Sequence, residues 1–203
     1  MRNLRHAPVA AARWPDSSFR DRCEHFFDEA LGAALRLQRL LALALAVPED
    51  YFAACHSGEN VTLRLLHYPP VATEQVVAEQ MGAGAHTDYG MLTLLWQDAV
   101  GGLQVRDERG EWHDVPPHAD AIVINSGDML EAWSNGRYRS TWHRVLPRNP
   151  LQERFSMALF VDPDSATVIE PLPSCTDADN PPRFHRTTAG RHLQSRIEAT
   201  HIG

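Results

Sequence analysis

Cysteine is scarce in this 203-residue chain: Cys23, Cys55 and Cys175 are odd in number, widely spaced and free of any C-x-x-C pair. That spacing argues against a disulfide framework and favours free thiols in a reducing compartment. Basic charge is in deficit as well, 19 Lys and Arg against 26 Asp and Glu for a net −7, so nothing draws the chain to nucleic acid or an anionic membrane surface. Long apolar runs are missing. The most apolar stretch, Leu40 to Val47, is far too short to span a bilayer, and the first 20 residues lack the apolar segment of a signal peptide. No internal repeat or low-complexity segment is visible. The expectation is a cytoplasmic protein with neither nucleic acid nor membrane among its partners, its oligomeric state left open.

What remains is ordinary: 43% apolar and 22% charged residues suit one domain with a sizeable core. Residues 1–12 show no period. Trp14-Pro15-Asp16-Ser17 reads as a helix start with Asp16 or Ser17 as N-cap. From there Phe19, Cys23, Phe26, Ala30, Ala34, Leu37 and Leu41 recur at spacings of three or four, one apolar stripe that predicts a helix to about Ala46 lying on a sheet. After Ser57-Gly58 the chain turns β-like. Strands are expected at Val61–Tyr68, Leu92–Trp96, Leu103–Arg106, Glu111–Val115, Ala121–Asn125, Arg139–Leu146, Arg154–Val161 and Val168–Glu170, separated by Gly-, Asn- and Asp-rich turns. Short strands this close together predict a mainly β fold with flanking helices, a sandwich or jelly roll rather than a βαβ sheet. A terminal helix is expected over Thr187–Thr200.

The chemistry gathers at His86-Thr87-Asp88. Residues two apart in extended backbone point the same way, so this pair offers an imidazole nitrogen and a carboxylate oxygen to one cation. His143 follows 55 residues after Asp88 in another strand-like run. Two histidines and one carboxylate leave coordination positions free, which is the facial triad of non-haem Fe(II) oxygenases. By itself H-x-[DE] is weak, since 11 His and 26 acidic residues supply such a match by chance. A second copy, His118-Ala119-Asp120, follows Pro116-Pro117 and reads as an exposed loop.

The run Arg154–Val161 alternates. One face carries Arg154, Ser156, Ala158 and Phe160; the other, Phe155, Met157, Leu159 and Val161, is wholly apolar and expected beneath the long helix. An inward Arg needs a carboxylate mate, and where no protein acid supplies it, a ligand does. Thr141 shares the His143 face and Phe160 the Arg154 face, so both are expected to border a substrate space. The tryptophans Trp96, Trp112, Trp133 and Trp142 read as packing residues.

Seven runs then occur in one order: His67-Tyr68-Pro69-Pro70, His86-Thr87-Asp88-Tyr89-Gly90 with Leu92-Thr93, Gly102-Leu103-Gln104-Val105, Asn125-Ser126-Gly127-Asp128, Ser134-Asn135-Gly136, His143-Arg144-Val145 and Arg154-Phe155-Ser156. Together they resemble the catalytic half of the 2-oxoglutarate/iron(II)-dependent dioxygenases related to isopenicillin N synthase. The resemblance implies a double-stranded β-helix core at residues 59–171, an N-terminal helical segment at 1–58 left from a larger N-terminal region, and a C-terminal extension and helix at 172–203. It implies Fe(II) held by His86, Asp88 and His143, and 2-oxoglutarate gripped by Arg154 and Ser156 with help from Tyr68. O2 is the third partner, and a small molecule would be hydroxylated, desaturated or cyclised with release of succinate and CO2. Leu66 stands where many members carry Asn. Two other readings stay open: an oxidase of the same family that uses no 2-oxoglutarate, and a catalytically silent remnant.

Overall fold

The computed structural model describes residues 14–70, 82–146 and 151–201; the aperiodic residues 1–12 lie outside them. In chain order the elements are helix α1 (Ser17–Ala44), strands β1 (Val61–Tyr68), β2 (Ala83–His86), β3 (Leu92–Gln97), β4 (Leu103–Arg106), β5 (Trp112–Asp114) and β6 (Val123–Ser126), helix α2 (Asp128–Trp133), strands β7 (His143–Val145), β8 (Arg154–Val161), β9 (Val168–Ile169) and β10 (Thr187–Thr188), and helix α3 (Ala189–His201). Two four-stranded antiparallel sheets result, one in the order β1-β8-β3-β6 and one in the order β2-β7-β4-β5, with β9 and β10 as a separate ladder. This is the double-stranded β-helix, or jelly roll.

Helix α1 starts where its cap chemistry directs. The Asp16 carboxylate accepts the Phe19 amide at 2.8 Å, a contact worth about 1 kcal/mol of helix stability. Its buried face keeps Cys23, Ala30 and Ala34 of the expected stripe and departs from it by one residue at three other positions. Phe27, Ala30, Ala34, Gln38 and Ala42 are covered, Phe26, Leu37 and Leu41 only flank them, and Phe19 is exposed. Alanines at the centre let the helix backbone approach the sheet closely, which pushes the larger side chains to the margins. Gln38, fully buried, escapes any apolar pattern; its amide meets the His56 imidazole at 2.8 Å.

Below α1 lie Leu63, Leu94, Leu159 and Val161. A second cluster, built on Phe52, Met91, Met129, Leu130, Trp133 and Ile169, locks α2 to the far end of α1. The cover over β8 stops at Met157, which packs with Phe26 and Trp96. Phe155, expected beneath the helix, is therefore 48% exposed and stacks on His67, ring centroids 4.5 Å apart. Trp142 likewise stays 46% exposed rather than packed, because only His143–Val145 of the expected Arg139–Leu146 strand joins the ladder.

Register puts the inner face of the large sheet in straight rows. Arg64, Ala158, Leu95 and Val123 form one row; Thr62, Phe160, Thr93 and Asn125 form the next; Tyr68 sits opposite Arg154. These rows form the floor beneath the site.

Candidate metal centre and cosubstrate pocket

His86 ends β2 and His143 begins β7, paired across one ladder, with Asp88 just past the strand. The rings sit 4.3 Å apart, centre to centre. His143 Nε2 lies 3.7 Å from Asp88 Oδ1, and the ligand atoms of the three residues all fall within 4.8 Å of one another. Each imidazole is turned by a backbone carbonyl two residues before it: His86 Nδ1 meets Gly84 O at 2.7 Å and His143 Nδ1 meets Thr141 O at 3.0 Å. With Nδ1–H donating, both Nε2 lone pairs face the centre, the usual way a protein fixes the tautomer of a metal-binding histidine. Asp88 is 7% exposed, and its Oδ2 accepts from Thr93 Oγ1 and Asn125 Nδ2, both at 2.7 Å. That leaves Oδ1 for a cation. Thr141 thus contributes a carbonyl as well as the side chain that borders the cavity.

The segment between Asp88 and Met91 is stitched to α2. Asp128 N–H donates to Asp88 O, Met129 N–H to Gly90 O and Gly127 N–H to Met91 O, at 2.9 to 3.0 Å. A Cβ on Gly127 would come within 2.3 Å of Gly90 O, so the close approach requires glycine. From α3, Arg196 donates to Thr87 Oγ1 at 2.8 Å and pairs with Asp128. Burial works against the Asp128 charge, but hydrogen bonds from His192, Ser140 and Thr87 and the Arg196 cation outweigh it and hold its pKa low.

Asp162, just after β8, tucks its carboxylate under Gly90 and accepts the Met91 amide at 3.2 Å. A Cβ on Gly90 would fall 1.4 Å from Asp162 Oδ1. Burial pushes this carboxyl up, the Met91 hydrogen bond pulls it down and the Asp88 charge pushes it up again, leaving a pKa of about 6 against 3.8. A raised folded-state pKa means that the fold favours the proton. The stability this group contributes is present below the unfolded pKa and lost as pH rises from 3.8 through 6. Asp162→Asn should therefore stabilise the metal-free protein by on the order of 3 kcal/mol above neutral pH, the gain vanishing towards roughly pH 4. Urea denaturation at several pH values measures it; a gain that does not change with pH would rule out this origin.

Arg154 is 3% exposed and, among the described residues, has no carboxylate partner. Its Nε donates to Gly101 O at 2.6 Å, Nη1 to Ser156 Oγ at 3.2 Å and Nη2 to Gln97 Oε1 at 3.5 Å, and its Cζ stands 4.9 Å from the Tyr68 ring. Gly101 and Gly102 both hold positive φ, the turn that aims the Gly101 carbonyl at the guanidinium. Arg154, Ser156, Tyr68, Phe160, Thr141 and the His-Asp-His cluster all line one cavity of about 380 Å³ between the two sheets. The other H-x-D copy, at His118 and Asp120, is exposed and apart.

A model of the 2OG-Fe(II) oxygenase superfamily matches residues 59–163. The chain belongs to that superfamily. Among curated relatives, a proline hydroxylase of Petromyces alliaceus is 35% identical over 93% of this chain and 63% of its own length. A homoarginine-6-hydroxylase of Glycine max is 37% identical over 91% of this chain and 58% of its own. Among solved structures, a full-length Neurospora crassa protein in complex with alpha-KG superposes with a TM-score of 0.86 at 33% identity, covering 96% of this chain and 63% of that one. The chain spans 49 to 63% of the length of the first curated relatives it matches.

Several residues of this site escape the sequence reading. Thr93 and Asn125 stand in the family-like runs without a role, although Thr93 is the second residue of its strand and paired with Asn125 in register. Gln97 and the α2–α3 braces carry no local signal, because each acts through a contact distant in sequence, and Gly84 acts through a backbone carbonyl that no side chain announces.

Proposed function

We propose that this chain is a 2-oxoglutarate-dependent oxygenase of the isopenicillin N synthase-like branch, acting on a small organic molecule. The observation that carries it is Arg154: a buried cation with no protein acid among the described residues, in the same cavity as a two-histidine, one-carboxylate cluster. A buried charge left uncompensated costs several kcal/mol, so the fold keeps Arg154 there for an anion that arrives with the ligand. A 2-oxoglutarate carboxylate fits the fork by two parallel hydrogen bonds, with Ser156 and Tyr68 beside it. An oxidase that uses no 2-oxoglutarate need not keep this pair.

The donor set suits Fe(II): two neutral imidazoles and one anionic oxygen on one side of an ion, with positions left over for cosubstrate and O2. Fe(II) with 2-oxoglutarate supplies the oxidising chemistry, in which 2-oxoglutarate, O2 and a substrate C–H become succinate, CO2 and a C–OH. The chain's own residues do the rest. Thr93 and Asn125 hold Asp88 in one rotamer, and the carbonyls of Gly84 and Thr141 keep both imidazoles aimed. Leu95, Leu103, Val105, Val145 and Phe160 line the space with apolar surface and exclude water from it. With Fe(II), 2-oxoglutarate and O2 the purified chain is expected to release succinate and consume O2 in equal amounts. No succinate above a protein-free control would reject the reading.

A further inference from the structure

The cavity holds a second guanidinium for which the cosubstrate has no use. Alternate residues of a strand share a face, so Arg64 lies on the same wall as Leu66 and Tyr68, and all three line the cavity. Across the ladder Arg64 pairs with Ala158 and Tyr68 with Arg154. Four strand positions therefore separate the two arginines, about 13 Å at 3.3–3.4 Å per residue. They cannot share one carboxylate. Arg154 is pinned by Gly101, Ser156 and Gln97. Arg64 has no hydrogen bond or ion pair among the described residues; its Cζ rests 5.1 Å from the centre of the Phe160 ring. A guanidinium lying on an aromatic face uses its π surface and keeps its N–H edge for an anion.

The register says what lies beside it. From the exposed Arg64 at the sheet edge, the row continues inward through Ala158, Leu95 and Val123, all apolar. A molecule lying along that row presents hydrocarbon to the floor and can place one charge at Arg64. Phosphate draws on several donors at once, and Arg64 is the one cation on its row. A carboxylate, which a single fork satisfies, is the better match.

We propose that Arg64 determines specificity by binding the carboxylate of the prime substrate, a small apolar carboxylic acid; this rests on the oxygenase reading above. The test uses the full chain loaded with Ni(II) in place of Fe(II) and saturated with 2-oxoglutarate, titrated calorimetrically with hexanoate, octanoate and phenylacetate and with their primary amides. At least one acid is expected to bind about tenfold tighter than its amide, and Arg64→Gln should erase that preference while 2-oxoglutarate affinity stays within about twofold of wild type. Arg64→Lys, which keeps charge but loses the fork, should fall between. Acids and amides binding alike, no acid binding at millimolar concentration, or a preference that survives Arg64→Gln would each overturn the proposal. A wild-type chain that binds no 2-oxoglutarate in a first titration would instead overturn the oxygenase reading.

Discussion

Arg154→Met weakens 2-oxoglutarate binding by about 2–5 kcal/mol, the cost of removing one member of a desolvated, hydrogen-bonded charge pair, which is roughly 30-fold to several thousand-fold in Kd. The stability of the ligand-free protein should move the other way. Arg154 is 3% exposed, and its partners among the described residues are neutral: Gly101 O, Ser156 Oγ, Gln97 Oε1 and the Tyr68 ring. A buried charge held by neutral groups carries a desolvation cost that an apolar side chain of similar volume does not. Arg154→Met should thus leave the apoprotein as stable as wild type or more so, while abolishing the protection that 2-oxoglutarate gives. A structural arginine would behave in the opposite way. Calorimetric titration with 2-oxoglutarate and urea denaturation without it separate the two cases. Unchanged affinity, or a large loss of apoprotein stability, would remove Arg154 from the cosubstrate site.

His143→Ala weakens binding of Fe(II), or of Co(II) as a stable stand-in, by at least about 100-fold, beyond the roughly 10–100-fold that losing a hydrogen-bond partner of a ligand costs. Loss of Nε2 leaves His86 and Asp88 Oδ1 as the remaining ligands, with no third donor among the described residues within the 4.8 Å that now unites the cluster. Asn125→Ala, which leaves all three ligands and removes one of two hydrogen bonds to Asp88 Oδ2, should cost about tenfold. A metal that binds only the folded state stabilises it by about 2.7 kcal/mol at a hundred times its Kd. Wild type should therefore gain in midpoint on adding metal, Asn125→Ala should gain less, and His143→Ala should not respond. Equal gains in all three proteins would mean that the cation binds elsewhere.

Both predictions start from residues legible in the sequence, and the reason is local. The pair His86-x-Asp88 brings two ligand types together within three residues, and the alternation of Arg154 and Ser156 follows strand period, both of which the order of residues carries by itself. The limits of β1, β4 and β8 agree with expectation for the same reason, as does the Asp16 cap; the terminal helix forms at Ala189–His201, with Thr187–Thr188 of its expected range in β10. Local signals ran out where contacts are long-range. The four-residue strand β2 is too short and too rich in Gly and Ala to announce itself, and α2 hides behind Ser126-Gly127-Asp128, which reads as a turn. Gln38 is buried because His56 meets it from another segment. Phe155 and Trp142 are exposed because α1 and the ladder end before reaching them.

Arg64 draws the same boundary within one strand. That it shares a face with Tyr68 follows from counting by twos. That this face floors a cavity, one row from the residues bracing Asp88, follows only once β1, β8, β3 and β6 are in register. The amino-acid sequence by itself determined the ligand types, their spacing and the superfamily that unites them. Tertiary structure alone decided which Asp88 oxygen stays available, that His86 and His143 face each other across one ladder, and that Arg154 meets no protein acid among the described residues. These depend on hydrogen bonds between segments dozens of residues apart, which no period along the chain encodes.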